Sequence, residues 1–283
     1  MSRTRPLPVL LVAVALALGL AACGSSSSDA SDKTATDKAD ATTTTTVASA
    51  APIEILVSND DGYSAKGIDT LVEALRQEKG VKVTVVAPNV NRSGSGGKTS
   101  DGEVKVADVK TISGYPAKSV SGYPADAVNV AMNQLDIQPD VVITGINEGQ
   151  NVGPAVDISG TVGAARAAVE NGVPALATSQ GTGTVVDYQS ALPFILDWLH
   201  EHRAAIAAGK EPVAVTSINV PSCDEGKVRG LEKTTADLGG DFGAALAKQD
   251  CTSTAAASSL DGDVELFTNG FATITPVAAQ PAS

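Results

Sequence analysis

The sequence predicts an α/β domain built on a mostly parallel sheet, and three observations predict it. The run 53–58, Ile-Glu-Ile-Leu-Val-Ser, is apolar and β-branched and stops at Asn59-Asp60-Asp61-Gly62, the pattern of a buried parallel strand whose carboxyl end carries a polar turn. Behind it, Ile68, Leu71, Val72 and Leu75 recur at helical spacing, and Gly80 follows as a stop. Residues 81–87 then form a second apolar run ending at Pro88. Strand, helix and strand within about 35 residues make a right-handed βαβ unit and set a parallel sheet.

Ahead of the first strand the chain has a different character. Arg3 and Arg5 precede an apolar run at 7–22 that closes on Leu20-Ala21-Ala22-Cys23. A basic start, a short apolar core and small residues describe a secretory signal, and the run is short for a spanning helix. The motif resembles a bacterial lipoprotein signal, which implies a signal peptide over 1–22, cleavage before Cys23 and lipidation of its thiol. Residues 23–51 are Ser, Thr, Ala, Asp and Lys with almost nothing large and apolar, so ordering them costs more than burial returns and they read as a disordered stalk. The expected product is exported and lipid-anchored on the outer face of a bacterial cell membrane, which it touches through the anchor only.

The remaining stretch, 52–283, holds about 230 residues, enough for one sizeable core and one domain. The formal charge is -12, from 20 basic and 32 acidic residues; losing Arg3 and Arg5 leaves 18 against 32, or -14. Such a chain lacks the clustered cations that displace counterions from a nucleic-acid backbone, so long nucleic acid is excluded as a partner. Besides Cys23 there are Cys223 and Cys251, an even pair in an exported protein, which favours a disulfide. His200 and His202 are two apart on an expected helix and point in different directions, so both read as solvated.

Further elements follow in order. The loop 89–99 leaves the second strand; its Gly97-Lys98-Thr99 is no phosphate-binding P-loop, because the required first glycine falls at Arg92 and no apolar helical run follows. It reads as a polar lip whose Ser93 hydroxyl and Arg92 guanidinium can face the same edge as the aspartates. A helix is expected over 124–135, with Val128, Ala131 and Leu135 inward and Val130 off the face, and a third strand over 139–144. That strand runs into the glycine-rich loop 145–153, where Asn147 can offer an amide oxygen to a hard cation. Ser159-Gly160-Thr161 opens an Ala-rich helix to about Glu170; its hydroxyls suit capping, and its amides and dipole also suit an anion. A strand at 173–178, a helix carrying Leu192, Ile195, Leu196 and Leu199, and a strand at 212–220 come next. The runs 264–267 and 271–275 flank Thr268-Asn269-Gly270, which predicts a C-terminal β-hairpin.

On the residues alone, Asp60 and Asp61 have two readings. Adjacent carboxylates repel, and a divalent cation stabilises both in ionised form; Asn-Asp-Asp-Gly is equally good turn chemistry. Resemblance to known proteins adds to this. Ser-Asn-Asp-Asp-Gly from Ser58, Ala-Pro-x-x-Asn-Arg-Ser-Gly from Ala87, Gly-Ile-Asn-x-Gly-x-Asn from Gly145 and Ser-Gly-Thr-Val from Ser159, in this order, resemble the SurE family of survival-protein nucleotidases and phosphatases. The resemblance is weakest over 99–120 and over 224–263, where the family builds arms that exchange between subunits.

That resemblance implies a Rossmann-like three-layer αβα sandwich and a metal-dependent phosphomonoesterase acting on nucleoside 5′- or 3′-monophosphates, with a homodimer compatible with it. It implies divalent-metal ligands at Asp60, Asp61, Ser93 and Asn147, with Mg²⁺ or Mn²⁺ as the hard cation, and a phosphate pocket at Asn91, Ser159, Gly160 and Thr161. The two aspartates are then the catalytic carboxylates. The competing expectation is a surface lipoprotein that binds a nucleotide or phosphate without consuming it.

Overall fold

The computed structural model describes residues 52–281. The expected signal peptide, the lipidation site Cys23 and the stalk lie outside the described residues. Among those described, no helix is long and apolar enough to cross a membrane.

In chain order the elements are β1 (Ile53–Ser58), α1 (Lys66–Leu75), β2 (Val81–Pro88), β3 (Val106–Lys110), β4 (Pro116–Val120), α2 (Pro124–Asn133), β5 (Val141–Glu148), α3 (Ala155–Ile158), α4 (Gly160–Glu170), β6 (Ala175–Gln180), α5 (Tyr188–Ala207), β7 (Val215–Val220), β8 (Leu231–Lys233), α6 (Phe242–Ala245), α7 (Gly262–Thr268) and β9 (Ala272–Val277). The strands form one nine-stranded sheet in the order β3-β4-β2-β1-β5-β6-β7-β9-β8. Its centre is parallel, while β3 runs antiparallel to β4 and β9 antiparallel to β7. Side chains alternate between the two faces. Ile55 and Val57 join Ile68, Leu71, Ile195 and Leu199 of α1 and α5 in one core, and Leu56 joins Val128, Ala131, Val162 and Ala165 of α2 and α4 in another. The result is a three-layer αβα fold.

Two features of this sheet position the site. From β1 the chain steps to β2 on one side and later returns to β5 on the other, so the strand order reverses between β1 and β5. A crevice outside the carboxyl ends is expected at such a switch point. The crossover through α5 also lies on the opposite face from that through α4, although both move the same way along the sheet. The two units therefore have opposite hand, and the start of α5 comes to lie beside α1 and the end of β5.

Several expectations need correction. The C-terminal hairpin is absent: 262–268 is the helix α7, and β9 pairs with β7 and β8 instead. Val264, Leu266 and Phe267 are all buried on it, and burying three such side chains, at about 2 kcal/mol each, outweighs a local Asn-Gly turn preference. Asn269-Gly270 ends that helix. The Gly270 amide donates to Phe267 O and the Phe271 amide to Leu266 O, with Gly270 at φ +85°, a Schellman stop. Strand β5 continues past Thr144 to Glu148 through a register shift, so Asn147 is inside a strand end rather than beyond it. Val130 is buried, because α2 packs against α4 as well as the sheet. The hairpin β3–β4 was not foreseen. His202 is not freely solvated: its ring stacks on Trp198 at 4.5 Å and its Nδ1 lies 2.7 Å from Glu211 Oε1. His200 is exposed beside Glu78.

Candidate active site

The strands β2, β1 and β5 are neighbours, so the loops after their carboxyl ends share one rim, and the amino end of α4 meets them there. A cavity of about 190 Å³ at this rim is lined by Asp60, Ser93, Asn147, Asn151 and Ser159 on its polar side. Asp61 stands next to it. Its Oδ1 accepts from Asn91 Nδ2 and its Oδ2 from the Glu148 amide, both at 3.0 Å, which binds the three loops together. Asn91 Oδ1 in turn accepts from the Ser93 amide at 2.9 Å, and the Arg92 amide donates to Asp60 O at 2.6 Å.

Asp60 is buried, and its Oδ1 accepts from the Thr161 hydroxyl at 2.5 Å. Burial raises its pKa, against the hydroxyl of Thr161 and the amides of Thr161 and Gly160, which lower it. Burial and then the charge of Asp60 push Asp61 up to about 7; the charge of Glu148 adds to this, while the Glu148 amide and Asn91 oppose it. Among the described residues neither carboxylate has a cationic side chain paired with it. Two adjacent acids are thus held together by neutral donors alone.

The donor set suits a hard cation. Asn147 Nδ2 donates to Gly149 O at 2.6 Å, which fixes the amide with Oδ1 on the other side, and that oxygen is buried without a hydrogen-bond donor. With Asp60, Asp61 and the Ser93 hydroxyl it makes an all-oxygen set, the chemistry that Mg²⁺ and Mn²⁺ take. Among the described residues no cluster of three or more His, Cys, Asp and Glu side chains offers itself as an alternative.

Helix α4 is built to approach this rim. Ser159 caps it, its Oγ accepting from the Val162 amide at 3.1 Å. A Cβ on Gly160 would stand 2.7 Å from Asp60 Cβ and 2.8 Å from Ser95 Oγ, so only glycine lets the helix end come this close to the carboxylate. One expected substrate contact is placed otherwise. The Arg92 guanidinium turns to the neighbouring 121–123 turn, where it donates to Ser121 O at 3.0 Å and lies 5.4 Å from the Tyr123 ring centroid. An available carbonyl and ring face outcompete an open lip for it. The Asn91 amide bridges Asp61 and the Ser93 amide. Sequence reasoning missed Glu148, Tyr188, Asn151 and Phe242. The Tyr188 hydroxyl donates to Glu148 Oε2 at 3.1 Å, and burial, then the charge of Glu148, raise its pKa. Asn151 stood in the quoted Gly145–Asn151 motif, the one available signal; Phe242 had none.

The model of the family described as "Survival protein SurE" matches residues 55–239. The chain belongs to the SurE family. A Porphyromonas gingivalis protein named 5'-nucleotidase SurE is 36% identical over 241 residues, covering 81% of this chain and 91% of that one. A Treponema pallidum protein of the same name is 40% identical over 182 residues, 60% of this chain and 91% of its own. The crystal structure of the SurE protein from Aquifex aeolicus superposes with a TM-score of 0.63 at 24% identity, covering 81% of this chain and 94% of that chain; at that identity it shows the SurE fold. The family match ends at 239, so α6, α7 and β9 lie beyond it. Cys223 and Cys251 are joined by a disulfide across a separation of 28 residues, which closes a loop containing α6.

Proposed function

We propose that this SurE protein is a divalent-cation-dependent phosphomonoesterase that releases phosphate from nucleoside 5′- or 3′-monophosphates. The observation that carries the reading is the buried, unpartnered Asn147 Oδ1 in the same cavity as Asp60, Ser93 and the capped start of α4. The names of the relatives support the substrate class.

Asp60, Asp61, Ser93 and Asn147 would hold the cation, Mg²⁺ or Mn²⁺. When bound, such a cation supplies Lewis acidity toward a phosphoryl oxygen and toward water. The chain supplies the rest. Asn91 and the Glu148 amide hold Asp61 toward the rim, and Thr161 holds Asp60. Either carboxylate can receive the proton of an attacking water. Ser159, Gly160 and Thr161 present the positive end of α4 to the phosphate as charge develops.

The protein is further proposed to be an exported lipoprotein anchored through Cys23, with residues 23–51 as its tether and 52–283 as the enzyme domain. Two assays test the whole reading. Purified protein is given nucleoside monophosphates and a chromogenic phosphate ester with Mn²⁺, with Mg²⁺ or with chelator; phosphate release that needs the cation and is lost in Asp60→Asn supports the enzyme. Tight nucleotide binding with no release under any cation supports the non-catalytic surface lipoprotein instead. Cys23→Ala should move the protein from the membrane fraction to the soluble one, and an unchanged distribution would remove the anchor.

A further inference from the structure

The cavity that holds Asp60 has a second wall of opposite chemistry. Ile158, Phe242 and Leu246 line it, and all three are large apolar side chains left in water, 48%, 42% and 52% exposed. Scattered apolar exposure needs no explanation, but three such side chains on the edge of one polar cavity do. Phe242 opens α6 and Leu246 caps its end, so the two, four apart, lie on one side of the turn.

Their presentation is built rather than incidental. Between them, Ala245 is fully buried with Val152, Val264 and Phe267, and Asp241 caps the turn, its Oδ1 accepting from the Ala244 amide at 2.7 Å. Gln150 ties the turn to the loop after β5. Its Nε2 donates to Ala245 O at 3.2 Å and Ala247 O at 3.4 Å, and its Oε1 accepts from the Thr182 amide at 3.3 Å. The inner face of α6 is therefore anchored to the strand end that carries Asn147, while the outer face is held out over the cavity. Gln150 has its hydrogen bonds inside the protein, so it offers few to a ligand.

We propose that Ile158, Phe242 and Leu246 form a shelf on which the nucleobase of the substrate lies, with the Phe242 ring as the stacking surface. This deepens the phosphomonoesterase reading and rests on it for the placement of the phosphate at the polar wall. Every base has a flat face that stacks on an aromatic ring, and a shelf without free polar groups discriminates little between bases. The site thus takes nucleoside monophosphates broadly, larger bases better than smaller, and holds small aliphatic phosphate esters at the polar end alone.

The test separates the shelf from the chemistry. Adenosine, which has no phosphate, is titrated by calorimetry into the full-length protein and into Phe242→Ala, Leu246→Ser and Phe242→Trp. The wild type binds adenosine and not ribose, Phe242→Ala weakens adenosine by about five- to a hundredfold, Leu246→Ser weakens it less, and Phe242→Trp retains it. In turnover, Phe242→Ala raises KM for adenosine monophosphate by a larger factor than KM for glycerol phosphate. Equal adenosine affinity in the wild type and Phe242→Ala overturns the shelf. So does a change of subunit number in Phe242→Ala with adenosine binding intact, which would assign the patch to a second copy. Adenosine binding lost in Phe242→Ala, with no phosphate released from any ester by the wild type, supports the shelf and overturns only the phosphatase reading.

Discussion

The Thr161 hydroxyl donates to Asp60 Oδ1 at 2.5 Å, joining the amino end of α4 to the end of β1 across 101 positions of sequence. Both residues are buried, so removing the donor leaves a carboxylate with no water to replace it. A hydrogen bond to a buried charged group is worth about 1.5 to 3 kcal/mol. Thr161→Val should therefore lower kcat/KM by tenfold or more and weaken the stabilisation of the fold by Mn²⁺ in a thermal shift. Thr161→Ser keeps the hydroxyl and should keep most of both. Equal behaviour of Val and Ser at this position would mean that the hydroxyl does not hold Asp60.

Gly160→Ala sets helix propensity against site geometry. In a helix, alanine is favoured over glycine by about 1 kcal/mol, yet here the added methyl would meet Asp60 and Ser95 inside 3 Å. The site should lose, since a displacement of about 1 Å in a reacting group costs on the order of a hundredfold in rate. The expected outcome is a folded protein of near-normal melting temperature with activity down by about that factor. Full activity would show that α4 can retreat without disturbing Asp60.

Much of this architecture was legible because local pattern and tertiary demand agree. The run 53–58 is buried from both faces and so reads as a continuous apolar strand, and the helical spacing of Ile68, Leu71, Val72 and Leu75 returns as the buried face of α1. That Asp60, Ser93 and Asn147 meet at one edge came from the same logic, as parallel neighbours place their carboxyl ends together. Where the reading failed, a long-range partner decided. Asn269-Gly270 is as good a helix stop as a hairpin turn, and only the buried sides of Val264 and Phe267 choose between them. The guanidinium of Arg92 was drawn to Ser121 O, which no spacing in 89–99 announces. The shelf around Phe242 sits in a segment of short turns with no periodicity at all.

The disulfide gives a test of that last segment. Cys223 and Cys251 are 28 residues apart, and closing a loop of this size restricts the unfolded chain by about 3 to 4 kcal/mol. A Cys223→Ser/Cys251→Ser variant should unfold at lower denaturant with an unchanged β1–β7 core. Because α6 lies inside the loop, KM for nucleoside monophosphates should rise more than KM for glycerol phosphate. A uniform loss with both esters would place the disulfide's influence on the catalytic rim instead.

Asp69 gives a pH-dependent prediction that does not involve the site. It sits on α1, buried, and holds the unforeseen β3–β4 hairpin: its Oδ1 accepts from the Ser113 amide at 2.8 Å and its Oδ2 from the Ser113 hydroxyl at 2.6 Å. Burial pulls its pKa up, but the hydroxyls of Ser113 and Thr111 and the Ser113 amide together carry it below the ordinary 3.8. Between that value and the lower folded one the unfolded chain binds more protons than the folded protein. The contribution is therefore complete above the unfolded value and is lost as pH falls through the folded one. Asp69→Asn keeps the shape and removes the charge, so it should cost about 1 to 2 kcal/mol in denaturant unfolding at pH 7. The gap between wild type and variant should close as pH falls below 3.8 through the lowered folded value, while kcat stays unchanged because Asp69 anchors the hairpin and not the rim. A gap of constant size across that range would mean that the ionised carboxylate contributes nothing to holding Ser113.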